Sequence, residues 1–218
     1  MIKTRWRNFL IVIGAAVIGF VILVGLMQMN VIDEYIATLL TLAGIFIIVS
    51  LGLNLISGFT GQLALGHAGL MSIGAYTTAT LIMQYHVPML AAILFGGALS
   101  AVFGFLIGTP TLRLRGDYLA ITTLGFGEVI RVILVNLEKI TGGAAGLKGI
   151  PPFIDSGDYK TNYIGKFIWV YVFVVGSVII VKNLINSSTG LAFKSIREDE
   201  VASNAMGINT SYYKILAF

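Results

Sequence analysis

Uncharged hydrogen-bonding side chains interrupt a long apolar run between residues 52 and 76. Asn54, Gln62 and His67 are among them, and Gly61 precedes the glutamine. Residues 35 to 84 carry no Asp, Glu, Lys or Arg, and this run is too long for one membrane span of about 17 to 25 residues. The sequence therefore predicts a break in the helix near "SGFTGQ".

Two interpretations of this break stay open at the level of the residues. Backbone freed from a helix at membrane depth is tolerated only where it is buried in protein or lines a water-filled cavity, and discontinuous helices form substrate sites in transporters. On that interpretation Asn54, Gly61, Gln62 and His67 belong to a substrate path or gate. The other interpretation is a tight uncharged turn at the cytoplasmic surface.

A charged pair lies near the middle of another apolar window, where Glu128 and Arg131 occupy positions i and i+3. Two charges facing lipid at this depth would cost about 5 to 7 kcal/mol, which cancels about 3 to 7 kcal/mol gained from the apolar residues of the window. The two side chains therefore pair with each other, face protein or water, or do both. A structural ion pair and a role in the path or gate are both compatible with this spacing.

The last 29 residues are the least apolar part of the chain and carry helix-boundary signals. Ser195 and Glu198 have the spacing of a capping box, and Gly207 is placed to end a helix, so we expect a helix of about 11 residues within 195 to 207. The acidic residues Glu198, Asp199 and Glu200 would then lie in its first turn, where the helix dipole favours anions.

The same predicted helix has a small apolar stripe formed by Val201, Ala202, Ala205 and Met206. Such a stripe is typical of a helix that lies at an interface on its own membrane domain. Three acids beside an apolar stripe are equally compatible with a docking element for a soluble partner. The residues alone leave both interpretations open.

The elements that position these residues are predicted to be membrane-spanning helices. The chain is 57% hydrophobic and only 11% charged, against about 25% charged in soluble domains. Six apolar windows have the length of a span, at residues 9 to 29, 35 to 57, 64 to 84, 88 to 109, 118 to 137 and 164 to 184. We expect an all-α polytopic transmembrane bundle of about six complete helices, with the start of a seventh at 212 to 218.

The charges predict the orientation of these helices, because Lys and Arg in short loops favour the cytoplasm. Basic residues at positions 3, 5 and 7 place the N-terminus inside, and the acids at 33 and 34 then lie outside. The arginines at 113 and 115 must be inside again, which requires an odd number of crossings. Three of the predicted windows lie between residues 34 and 113, which is an odd number, so the orientation is consistent.

Several other classes of function are excluded or disfavoured. The chain has no cysteine, which removes disulfides and thiolate metal sites. The net charge of +4 comes from basic residues beside apolar runs, which favours a membrane protein over a nucleic-acid partner. The glycine-rich loop at 140 to 152 lacks the spacing of a phosphate-binding loop. Neither a metal site nor a catalytic constellation is predicted, so the chain is not expected to be an enzyme.

Four ordered motifs carry a resemblance to a known family. "GLNLISGFTGQLALGHAGLMSIGAYTTA", "LRLRGDYLAITTLGFGEVIR", "TGGAAGLKGIP" and "IREDEVASNAMGINTSYYKILAF" resemble the membrane permease of branched-chain amino acid ABC importers, the LivM/LivH type. The resemblance covers the chain from about residue 35 onward. Family members continue with further helices, so we expect a C-terminally truncated member of the family.

The resemblance implies a set of partners. These are a second permease subunit in a homodimer or heterodimer, two cytoplasmic ATPase subunits, a periplasmic or lipid-anchored substrate-binding protein, and membrane lipid. ATP and Mg²⁺ would be used by the ATPases, and this chain would bind no cofactor. The loop at about 185 to 211 would dock on an ATPase through the coupling helix, whose residues are Arg197, Glu198, Asp199, Glu200, Ala202, Ala205, Met206 and Gly207. Other importers place a glycine six positions after the loop glutamate, whereas here Gly207 follows Glu200 by seven.

The leading hypothesis is thus a single permease domain over residues 1 to 218 in the bacterial inner membrane, importing branched-chain or related amino acids. A urea or short-amide permease is similar in the same motifs. An ion-coupled carrier or channel would explain the break and the charged pair but not the capped acidic helix, and a membrane scaffold would leave Asn54, Gln62 and His67 without a role. The residues do not identify the substrate.

Overall fold

The computed structural model describes residues 14, 17–29, 31–111, 114, 116–151 and 159–218, and every regular element within them is helical. The basic residues at 3, 5 and 7, and those at 113 and 115, lie outside the described residues. The long helices are α1 (Val17–Gln28), α2 (Glu34–Leu53), α3 (His67–Tyr85), α4 (Met89–Thr111), α5 (Asp117–Asn136) and α7 (Tyr159–Ile185). The shorter helices are α6 (Glu138–Thr141), α8 (Ser188–Glu198), α9 (Glu200–Ala205) and α10 (Thr210–Ala217).

Each of the six predicted windows overlaps one of these long helices, and the described part of the first, α1, is the shortest of the six. The all-α class is confirmed. Four helical stretches within the described residues are long and apolar enough to cross a membrane, and neither α1 nor α3 is among them. They are Glu34–Phe59, Met89–Thr111, Asp117–Asn136 and Thr161–Ile185. α7 begins at Tyr159, five residues before the predicted window, and the predicted start of a seventh helix corresponds to α10.

The chain forms two compact units. One unit contains α1 and the parts of α2 and α7 that end at residues 48 and 179. Its core is formed by Met27, Ala37 and Phe167, and α2 approaches α7 at Gly44, where a Cβ atom would lie 2.7 Å from Val170 Cγ1. A small residue is required there because helices in lipid pack through close backbone approach. The prediction of a single domain stays a prediction.

The other unit contains residues 49–151 and 180–218, and α3 packs along α4 within it. Gly96 of α4 faces Gly74 of α3, and a Cβ atom at Gly96 would lie 2.6 Å from the Gly74 carbonyl oxygen. One turn further along, the Ser100 hydroxyl donates a hydrogen bond of 2.7 Å to the Leu70 carbonyl. These are the contacts expected when small residues recur on one helix face in a membrane.

The predicted helix break is present. α2 continues through a π-helical turn at Asn54–Phe59, and the chain is then non-helical until α3 begins at His67. The Thr60 hydroxyl donates a hydrogen bond of 2.6 Å to the Ile56 carbonyl, and Gly61 has a φ of +69°, which strongly favours glycine. The break therefore has its own ordered geometry.

The predicted start of the coupling helix is wrong. Residues Ser188 to Glu198 form α8, and Ser195 lies inside it, with its hydroxyl donating to the Ala192 carbonyl at 2.9 Å. A second helix, α9, begins at Glu200, and Asp199 is its N-cap. The Asp199 carboxylate accepts hydrogen bonds from the Val201 and Ala202 amides at 2.8 and 3.0 Å.

The predicted end of the coupling helix is confirmed at Gly207, whose φ is +87°. The Gly207 amide donates to the Asn204 carbonyl and the Ile208 amide to the Ser203 carbonyl, at 3.0 and 3.1 Å. This pair of bonds is a Schellman motif. The coupling segment is therefore two short helices with a kink at Asp199.

Candidate functional site

A small polar cavity of about 140 Å³ lies where the helix break meets α8, α9 and α10. Its polar and glycine lining includes Thr60, Gly61, Gln62, Arg197, Glu200 and Lys214. Two of the residues predicted for the path and two of those predicted for the coupling helix therefore lie around one cavity. The sequence placed them at least 130 positions apart.

A direct contact joins the break to the coupling segment. The Arg197 Nη1 group donates a hydrogen bond of 2.7 Å to the Gly58 carbonyl, one of the carbonyls that lose their helical partner where a helix ends. The stem of Arg197 crosses Gly61, where a Cβ atom would lie 3.2 Å from Arg197 Cγ. Glycine is therefore favoured at position 61 for two reasons: it adopts the positive φ without strain, and it leaves room for the Arg197 side chain.

Gln62 carries a buried amide that makes no hydrogen bond to the part of the chain that the structure describes. Its side chain is 6% exposed, and neither Nε2 nor Oε1 has a hydrogen-bond partner among the described residues. Leaving a buried amide unpaired is costly, and the adjoining cavity has room for a few water molecules at about 30 Å³ each. The glutamine thus marks a cavity that favours polar occupants.

Lys214 of α10 forms an ion pair with Glu200 of α9, with Nζ 2.6 Å from Oε1. The lysine side chain is 8% exposed and the glutamate side chain 26% exposed, so the pair is largely removed from solvent. Sequence reasoning missed Lys214, because nothing local in "YYKILAF" indicates a partner 14 residues earlier. Of the three acids predicted for docking, Asp199 caps a helix, Glu200 is paired, and Glu198 is exposed.

The second constellation is a groove of about 270 Å³ between α3 and α5 that contains Glu128 and Arg131. The ion pair, one of the alternatives left open for these residues, is present, with Arg131 Nε donating to Glu128 Oε2 at 2.8 Å. The two side chains remain 65% and 59% exposed for Arg131 and Glu128. The pair is therefore formed but still accessible in this chain.

Thr123 was not predicted as a site residue, although it links the break to α5. The Leu65 amide donates a hydrogen bond of 3.0 Å to the buried Thr123 hydroxyl. One residue later, a Cβ atom at Gly66 would lie 2.7 Å from the Thr123 carbonyl oxygen. The end of the break is thus held tightly against α5, through contacts that no local sequence signal reveals.

A third cavity, of about 350 Å³, lies among α3, α4 and α5 and is almost wholly apolar. No acidic or basic side chain lines it, and the Thr80 hydroxyl in its wall is buried without a partner among the described residues. This cavity can accept an apolar group but offers nothing to bind a charge.

Two predicted path residues are not brought into either polar constellation. Asn54 is exposed on the π-helical turn, where its Oδ1 lies over Gly58 and occupies the place of a Cβ atom there. His67 is the half-buried first residue of α3. Neither lines the polar cavity or the groove.

The predicted apolar stripe of the coupling segment is exposed on α9. Val201 is 67% exposed and Met206 is 84% exposed, and Ala202 and Ala205 are exposed beside them. Ser203 on the opposite side is buried. This short helix therefore packs on the unit through its serine side and presents its apolar side outward.

Comparison with known proteins identifies the family. Residues 35–218 match the family model described as "Branched-chain amino acid transport system / permease component". The LivM proteins of Salmonella typhimurium and Escherichia coli K12, named as high-affinity branched-chain amino acid transport system permease proteins, are each 38% identical over 201 residues. That similarity covers 82% of this chain and 47% of each relative.

A more distant relative comes from Methanocaldococcus jannaschii. It is a probable branched-chain amino acid transport permease protein LivM, 26% identical over 80% of this chain and 60% of its own length. The chain spans about half the length of the two bacterial relatives. No solved structure matches it. With its apolar helices and its match over residues 35–218, this integral membrane protein belongs to the family of branched-chain amino acid transport system permease components.

Proposed function

We propose that the chain is the permease subunit of an ATP-driven ABC importer for branched-chain amino acids. It would lie in the bacterial cytoplasmic membrane with the N-terminus inside, as the basic residues at 3, 5 and 7 favour. The relatives' names support the substrate class. One contact carries the mechanism: the hydrogen bond of 2.7 Å from Arg197 to the Gly58 carbonyl.

This contact supports a mechanical link between docking and the substrate path. An ATPase subunit that engages the exposed side of α9 would move α8 and α9 together, because only Asp199 separates them. Arg197, at the end of α8, would transmit the movement to the backbone of the break. Gly61 and Gln62 would follow, because they line the same cavity as Arg197.

The substrate path would run along the break and the groove. Gly61 and Gln62 would line one part of it, and Glu128 with Arg131 another, since charged side chains at mid-helix are retained in membranes where they face protein or water. Asn54 and His67 would support the irregular backbone at either end of the break. Alternating access would arise as the break opens toward one side and then the other.

Docking would use the outward side of α9. Ala202, Ala205 and Met206 would enter a cleft on the ATPase. Glu198 and Asp199 are both exposed; Glu198 would make a charged contact, because Asp199 already caps α9. Asp199, Glu200 and Gly207 would hold the shape of the segment through the cap, the ion pair and the Schellman turn.

The remaining subunits of the importer are part of this proposal. They are a second permease subunit, two ATPases that hydrolyse ATP with Mg²⁺, and a periplasmic or lipid-anchored substrate-binding protein. This chain would bind no nucleotide and perform no hydrolysis.

Uptake in reconstituted membranes tests the proposal. The chain would be co-expressed with the partner subunits, and ATP-dependent uptake of radiolabelled L-leucine would be compared with uptake of urea. We expect saturable leucine uptake and none of urea. Uptake of urea alone, or leucine uptake that follows an ion gradient without ATP, would refute the proposed function.

Cross-linking tests the docking surface, and the absence of native cysteine makes it specific. Met206→Cys should form a cross-link with a cysteine placed in the ATPase cleft. Tyr85→Cys, also exposed but at the end of α3, is the matched control and should form none. Equal cross-linking at both positions would contradict docking through α9.

A further inference from the structure

We propose that Glu128 and Arg131 form a binding subsite for the zwitterionic backbone of a free amino acid, with the groove between α3 and α5 holding its aliphatic side chain. This inference rests on the proposed function and assigns the substrate's charged groups to particular atoms. The substrate ammonium would bind the Glu128 carboxylate, and the substrate carboxylate would bind the Arg131 guanidinium.

The Glu128–Arg131 pair has donor and acceptor groups that its own ion pair does not use, and these could bind the two charged groups of an amino acid. Arg131 donates a hydrogen bond from Nε to Glu128 Oε2. The two Nη groups of Arg131 have no partner among the described residues. The second carboxylate oxygen of Glu128 is also free of a hydrogen bond there. A guanidinium presents paired N–H groups that match a carboxylate, so the pair offers one donor face and one acceptor atom side by side.

The depth of the pair indicates that it faces a path and not lipid. Glu128 is the twelfth of the 20 residues of α5, about 16 Å along the helix at 1.5 Å per residue. Charged residues at mid-membrane that remain accessible face protein or a water-filled cavity, because exposure to lipid is costly. An accessible pair at this depth is a marker of a polar path.

Apart from the charged pair and Ser72, whose hydroxyl donates to the Gly69 carbonyl at 2.7 Å, the groove is lined by apolar and small residues of both helices and of the break. Leu65 and Leu124 line it together with Ala68 and Gly127. At Gly69 the helices are so close that a Cβ atom would lie 2.9 Å from the Gly127 Cα. The volume of about 270 Å³ is slightly below the roughly 300 Å³ lower bound of drug-sized pockets, which suits one small amino acid.

The groove is also connected to the helix break. Leu65 belongs to the non-helical segment, and its amide is bonded to the Thr123 hydroxyl of α5 at 3.0 Å. Leu65 therefore forms part of the apolar wall while its backbone ends the break. Movement of the break would displace this wall relative to the charged pair, so binding and release of the substrate side chain would follow the conformational cycle.

Three variants of the assembled importer test the assignment: Glu128→Gln, Arg131→Gln, and the charge swap Glu128→Arg with Arg131→Glu. We expect each single variant to lower L-leucine uptake at least tenfold, with ATPase activity stimulated by the binding protein kept within twofold. The swap restores an ion pair but reverses its polarity relative to the apolar wall. The charge swap should therefore restore the amount of assembled importer that can be purified (the complex yield) without restoring leucine uptake.

Val129→Ala is the matched control, because Val129 is exposed at the same depth of α5 but does not line the groove. It should transport normally. Full rescue of uptake by the swap, normal uptake in the single variants, or equal loss of complex yield in all three charge variants would overturn the subsite and assign the pair to structure. Absence of ATP-dependent leucine uptake by the unaltered importer would instead refute the proposed function.

Discussion

In the proposed importer, replacing Arg197 with lysine should uncouple ATP hydrolysis from transport while the complex still assembles. Lysine keeps the positive charge but lacks the planar guanidinium that reaches the Gly58 carbonyl at 2.7 Å. A hydrogen bond from a charged group contributes about 1.5 to 3 kcal/mol. Because Arg197 is exposed, the lower value applies. Since about 1.4 kcal/mol corresponds to a factor of ten, we expect leucine uptake per ATP hydrolysed to fall about tenfold.

The assay measures uptake and phosphate release in the same proteoliposomes, so that their ratio reports the coupling. Lys194→Ala is the control, because Lys194 is an exposed base on the same helix without a contact to the break among the described residues. Its ratio should equal that of the unaltered importer. An unchanged ratio in Arg197→Lys, or an equal fall in Lys194→Ala, would refute the view that Arg197 transmits the movement.

Three further predictions concern the scaffold around these sites. Asp199→Ala should destabilise α9 by about 1 kcal/mol through loss of its cap, seen as faster amide hydrogen exchange in that helix, whereas Asp199→Asn should preserve protection; equal exchange in both would exclude a capping role. Lys214→Met should lower the melting temperature by removing the ion pair with Glu200 from a largely buried position, and adding Glu200→Gln should recover most of the loss; a melting temperature unaffected by Lys214→Met would contradict this. Gly69→Ala should cost about 1 to 3 kcal/mol through overpacking against α5, with Gly125→Ala, which has open space around it, as the neutral control in the same thermal assay; equal effects would contradict it.

The features predicted correctly from the sequence are those that depend on local geometry or on the bilayer. An uncharged run from residue 35 to 84 cannot cross the membrane in one helix, so the break was required before any contact was known. The Glu128 and Arg131 pair follows from i, i+3 spacing on a helix. Gly207 follows from the preference of the left-handed region for glycine. None of these inferences needs tertiary information.

The coupling segment shows where local signals fail. Ser195 and Glu198 have capping-box spacing, but Phe193 and Ile196 beside them are buried, and the Phe193 ring meets Tyr213 of α10 edge to face at 6.3 Å. Burial of this apolar face extends α8 through Ser195, so Asp199 becomes the cap of the following helix. Packing outweighed the local signal, since a cap contributes only about 1 kcal/mol.

The contact that matters most for the proposed mechanism could not be inferred from local patterns at all. Arg197 and Gly58 are 139 positions apart, and an arginine at the end of a helix is compatible with many partners. Here it meets a carbonyl beside a cavity whose wall includes Gln62, and the amide of Gln62 has no hydrogen-bond partner within the described ranges. Water can take the place of a polar contact in such a cavity at little enthalpic cost. If water fills the cavity, the contact between Arg197 and Gly58 can break and re-form as the helices move, because water then bonds the separated groups. Without water, each movement would leave buried polar groups without hydrogen bonds, which is costly.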